Sequence, residues 1–141
     1  METITTVQTN PTGAGPVSKK VLWTGRVIGA VPVLMLLMSA SMKFVKPAFV
    51  VESFKHLGLP EHLALGLGIL ELACTLVYLV PQTAVLGAIL LTGYLGGAIL
   101  THLRIGEPIF AEILLGVMIW AGLYLRERRI RALIPFRSLL T

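Results

Sequence analysis

Apolar residues fall into four long runs separated by short polar stretches. The first covers about 21–42, with sixteen uncharged residues between Arg26 and Lys43. The second, about 62–80, stops at Pro81, and the third covers about 84–101; thirty residues between Glu71 and His102 carry no formal charge. A fourth covers about 109–125. A bilayer-crossing helix needs roughly 20 apolar residues, so the pattern predicts an all-α, integral membrane four-helix bundle. The link Pro81-Gln82-Thr83 is short enough to force an antiparallel hairpin. Pro32 predicts a kink in the first span.

Between the first two runs, Lys43, Lys46, Glu52, Lys55, His56, Glu61 and His62 alternate with Phe44, Phe49 and Phe54. Charge this dense cannot lie in the lipid core, and its aromatic partners predict an amphipathic segment at the interface. Residues 1–18, rich in Thr, Gly and Pro, read as a disordered tail preceding a domain over 19–137. Lys19 and Lys20 abut the first run, which makes it an uncleaved anchor in place of a signal peptide. Residues 126–141 form a basic tail containing Arg126, Arg128, Arg129, Arg131 and Arg137, expected to pack against the membrane.

Composition sharpens this picture. With 55% apolar and 13% charged residues, the chain is neither an ordinary soluble domain nor a disordered one. Its 12 Lys and Arg against 7 Asp and Glu read as topology in a membrane protein, where they set orientation, and not as a nucleic-acid surface. With both termini on one side, that side holds Lys19, Lys20, Arg26 and the five tail arginines, against Lys43, Lys46, Lys55 and Arg104 opposite. Both termini are therefore expected in the cytoplasm. Cys74 stands alone, which excludes an intramolecular disulfide or a dithiol redox pair. No phosphate-binding loop, serine nucleophile motif or metal-ligand spacing occurs, so no metal is expected.

Ionisable groups inside lipid are costly and therefore informative. Glu71 lies about nine residues into the second run, roughly 13 Å below the membrane boundary at 1.5 Å per residue. It must be either protonated or paired with a base. Glu112 lies one turn inside the fourth run, His102 and Arg104 leave the third on the same side, Glu107 follows in the loop, and Lys43 leaves the first. Tyr94 lies two turns below His102. Glu71, His102 and Glu112 are the expected acid–base groups, and Lys43, Tyr94, Arg104 and Glu107 the expected ligand contacts. The plainer alternative is an Arg104–Glu112 salt bridge, a Lys43 that reaches the headgroups, and a His102 without a ligand. Gly25 with Gly29 and Gly93 with Gly97 have the spacing that lets helix backbones approach, within one bundle or between copies in a homo-oligomer.

Three segments, GILELACTLVYLVP, GAILLTGYLGGAILTHLRIGEP and IWAGLYLRERRIRALIP, together resemble the DoxX-like branch of the DoxX family of small bacterial four-helix membrane proteins. The resemblance implies a multi-pass protein of the bacterial inner membrane. It also implies a link to quinone handling, since the family takes its name from a membrane subunit of a thiosulfate:quinone oxidoreductase. No cofactor is expected to be built in; the expectation is a bound quinone in an accessory subunit, with membrane lipids and a redox-enzyme subunit as partners. The alternative is an intramembrane enzyme (isomerase, epoxide-opening or cyclising) that uses buried Glu71 as general acid or base on a hydrophobic small molecule.

Overall fold

The computed structural model describes residues 18–133, which are helical and turn with no strand. The expected tail over 1–17, Arg137 and the end of the basic tail lie outside the described residues. Helix α1 (Lys19–Val45) is followed by α2 (Ala48–His56), α3 (Leu63–Leu79), α4 (Ala84–Leu103), α5 (Phe110–Arg126) and α6 (Arg128–Leu133). The first helix runs continuously through Pro32, which is buried.

α1 and α4 are long and apolar enough to cross a membrane. α3 and α5 have 17 residues each, which is about 25 Å of helix. Large apolar side chains face outward on all four: Leu34 and Met38, Leu65 and Ile69, Leu86 and Ile89, Phe110 and Leu114. A surface of this kind would associate in water and is stable in lipid. Together with the apolar helices it points to a membrane protein.

α1 packs against α3 and α5, α3 against α4, and α4 against α5. Leu36, Tyr78, Leu91, Ile119 and Leu123 fill the space between them. Two crossings depend on glycine. A Cβ on Gly122 would sit 2.8 Å from Gly29 Cα and one on Gly25 would sit 2.8 Å from Leu125 Cβ, so α1 and α5 touch backbone to backbone. A Cβ on Gly87 would lie 2.3 Å from Tyr78 Cα, so α3 and α4 also meet backbone to backbone there. The spacing read at Gly25 and Gly29 thus serves packing within the chain. Gly93 and Gly97 face open space.

The amphipathic segment forms α2, with Val50 and Phe54 buried against Ala64 and Glu52, Lys55 and His56 exposed. Its end and that of α4 share one device. Leu59 N–H donates to Phe54 O and Gly58 N–H to Lys55 O; Glu107 N–H donates to His102 O and Gly106 N–H to Leu103 O. Gly58 and Gly106 have φ of 66° and 76°. These are Schellman ends, in which a left-handed residue closes the helix and returns the chain over its last turn. In α2 the return packs Leu59 on the Phe54 cluster. In α4 it brings Glu107 back beside His102.

Candidate functional site

Two polar clusters contain six of the seven residues singled out above. The first is at Glu71, in the middle of α3 and 2% exposed. Lys43 Nζ donates to Glu71 Oε2 at 2.7 Å and to Ser39 Oγ at 2.6 Å, and Ser39 donates to the same carboxylate oxygen at 3.2 Å. Ser39 and Lys43 are four residues apart, one above the other on a helix face. Gly68, a turn before Glu71, makes room for the lysine stem: a Cβ there would stand 3.0 Å from Lys43 Cβ. Tyr94, from α4, is partly buried against the core on the Glu71 side. Glu71 is therefore paired with a base. Paired in this way, the carboxylate is fixed by contacts from α1.

The second cluster lies where α4 turns into α5. Glu107 is held from both sides, by His56 Nε2 at 2.8 Å from Oε1 and by His102 Nδ1 at 2.6 Å from Oε2. The hydrogen bond from His102, then that from His56, holds the Glu107 carboxyl below its ordinary range. An ionised carboxylate only accepts, so His102 Nδ1 and His56 Nε2 carry the protons. His102 Nε2 then faces Glu112 Oε1 at 3.5 Å. Glu112 Oε2 is buried with no hydrogen-bond partner among the described residues.

Glu112 is one of the residues that line an open-sided cavity of about 600 Å³ between α4 and α5. Its other walls are almost wholly apolar, among them Leu95, Ile99, Ile113 and Val117, with the side-chain-free Gly96 and Gly116 widening it. At mid-length Trp120 Nε1 donates to Thr92 Oγ1 at 2.9 Å. From Glu112 to Tyr124, which lines the far end, α5 rises roughly 18 Å.

Arg104 joins neither cluster. Its guanidinium donates to the Leu57 carbonyl, left free at the end of α2, where a cation also suits the helix dipole. The alternative Arg104–Glu112 salt bridge is not formed; Glu112 faces His102. Sequence reasoning missed Ser39, whose signal was its four-residue offset from Lys43, and gave His56 no role at the site. Nothing in the sequence marked the cavity. Arg126 and Arg131 turn inward, over the rings of Tyr78 and Tyr124, and Arg131 also donates to the Tyr124 and Leu125 carbonyls.

The sequence model of the DoxX-like family matches residues 27–125, which include all seven candidate residues. No curated protein and no solved structure matches the chain significantly.

Proposed function

The chain belongs to the DoxX-like family, and from that premise we propose that it is an accessory, quinone-binding subunit of a membrane redox system in the bacterial inner membrane. In this reading α1, α3, α4 and α5 cross the bilayer as an antiparallel bundle with both termini cytoplasmic. The outward apolar side chains on all four support that placement. The excess of Lys and Arg toward the two ends of the chain supports the orientation.

The observation that carries the ligand is the α4–α5 cavity, with Glu112 among its lining residues and that residue's Oε2 buried and unpartnered among the described residues. An apolar, open-sided groove fits an isoprenoid tail entering from lipid, and a lone buried acceptor fits a ring hydroxyl. A bound quinone would supply two-electron, two-proton chemistry, with the redox centre provided by a partner subunit. Glu112 would accept from the ring hydroxyl of the reduced, quinol form, Gly96 and Gly116 would admit the tail, and Trp120, fixed by Thr92, would bound the space.

The test is purification from native membranes with mass spectrometry of co-purifying lipophiles and proteins. Recovery of a quinone, lost in Glu112→Gln and in the cavity-filling Gly96→Leu, is expected; a Cβ at Gly96 meets no atom within 4 Å, so the added side chain starts in open space, and circular dichroism checks the helicity of the variant. Quinone-free protein of both kinds alike would refute the reading. The Glu71–Lys43–Tyr94 cluster favours a second one, an intramembrane enzyme using Glu71 as acid or base. It predicts turnover by the purified protein alone. Against it, Lys43 and Ser39 already occupy Glu71 Oε2, and Glu71 does not line the cavity.

A further inference from the structure

We infer that His102, Glu107 and His56 form a proton path leading from Glu112, in the wall of the α4–α5 cavity, to the aqueous surface. The proton's source rests on the ligand proposed for that cavity; the path does not.

Three observations carry it. The groups are in sequence, with separations of 3.5 Å from Glu112 to His102, 2.6 Å from His102 to Glu107 and 2.8 Å from Glu107 to His56. Their side chains rise steadily in exposure, from 17% at Glu112 through 26% and 34% to 66% at His56. The imidazole of His102 also spans the gap with opposite edges, Nε2 toward Glu112 and Nδ1 toward Glu107. An imidazole so placed can take a proton on one nitrogen and release another from the second.

The transfers balance without any electron leaving the chain. A ligand O–H bond breaks with its electron pair staying on oxygen, and the proton bonds to Glu112 Oε2. The Glu112 carboxyl, turning to present that proton, gives it to His102 Nε2. The imidazolium releases its Nδ1 proton to Glu107 Oε2, and Glu107, one-third exposed and shared with His56, gives a proton to water. Each group ends with the charge it began with, and His102 ends with its proton on Nε2, so a turn of the imidazole restores the starting arrangement before the next transfer. The 3.5 Å gap is the loose step, and contacts of this kind tighten when the ligand or proton is present. The groups facing His102 are Glu107 from the loop and Glu112 from α5. Those facing Glu107 are His102 from α4 and His56 from α2, while the Arg104 guanidinium is engaged by Leu57 O.

The test uses the full-length, ligand-free protein in detergent. A caged acid delivers a pH jump, and infrared follows the Glu112 carboxyl band, identified by its loss in Glu112→Gln. In the native protein the band should follow the bulk pH. In His102→Gly and in Glu107→Gln, each checked for helicity by circular dichroism, the response should slow by about tenfold or more, and free imidazole should restore His102→Gly, which a merely structural histidine would not allow. An unchanged rate in either folded variant overturns the path, as does a Glu112 band that does not respond to the pH jump. Titration of the same samples with decylubiquinol, kept reduced, read by quenching of Trp120 in a Trp23→Phe background, tests the ligand separately. Quenching without the slowed response defeats the path alone; a slowed response without quenching defeats the ligand alone.

Discussion

Replacing Lys43 with methionine keeps most of the stem that packs on Gly68 and removes only the ammonium. Lost with it are the 2.7 Å contact to Glu71 Oε2 and the 2.6 Å contact to Ser39, leaving a carboxylate 2% exposed with no cation. Removing one partner of a buried pair costs about 3–5 kcal/mol, because the stranded charge is neither paired nor hydrated. The reverse change, Glu71→Met, should cost less, about 1–2 kcal/mol. Lys43 lies in the last turn of α1 with 15% of its side chain exposed, and its long stem can carry the charge to water. The double variant, with neither charge, should return to within about 1 kcal/mol of the native protein or exceed it. Unfolding in mixed micelles of dodecyl maltoside and dodecyl sulfate, followed by far-ultraviolet circular dichroism, measures all three. The order of cost should be Lys43→Met, then Glu71→Met, then the double. Interhelical hydrogen bonds in membrane proteins couple by about 0.6 kcal/mol on average. A coupling no larger than that, or a Glu71→Met variant worse than Lys43→Met, would refute the argument.

Gly87→Ala places a methyl 2.3 Å from the Tyr78 backbone, which cannot move aside; a loss of about 3 kcal/mol or more is expected, while Gly93→Ala, facing open space, should stay within about 0.5 kcal/mol. Thermal melts in detergent distinguish them, and equal melts would mean the α3–α4 crossing is looser than described. Gly106→Ala imposes a left-handed conformation costing about 1–2 kcal/mol, and the loss of the His102–Glu107 bond should appear as a shifted imidazole signal in nuclear magnetic resonance. Because folding lowers the Glu107 carboxyl below its ordinary 4.5, its contribution is complete above that value and disappears as pH falls through the lower, folded one. Acid titration of the His56 and His102 resonances should show this step, and Glu107→Gln should abolish it; identical curves would contradict the pairing. The effect on stability itself is small, since solvent screens a group this exposed.

What the sequence made legible follows the cost of placing charge in lipid. Uncharged runs and Pro81 located the long helices, and the same cost required that Glu71 be either protonated or paired with a base. Which base was hidden, because helices apolar on every side carry no periodicity to fix their rotation. Lys43 is selected by the missing side chain of Gly68, a contact between residues 25 positions apart. Ser39 reads as just another small residue until its neighbour's ammonium is placed. His56 reaches Glu107 only because α2 and the α4–α5 turn come together, a tertiary event with no local signature. The cavity is defined by atoms that are absent from Gly96 and Gly116, and a sequence shows no gap there.

The crossing of Gly25 and Gly29 on Gly122 also bears on how the chain is made. The faces of α1 and α5 that meet without side chains are roughly 90 residues apart, which at ~5–20 residues per second separates their synthesis by about 5–20 s. Throughout that interval α1 has a bare backbone groove and no partner for it. The nascent chain is therefore at its most vulnerable to membrane proteases and chaperones before α5 emerges, and a slow codon stretch ahead of Gly122 would lengthen that exposure without altering the finished protein.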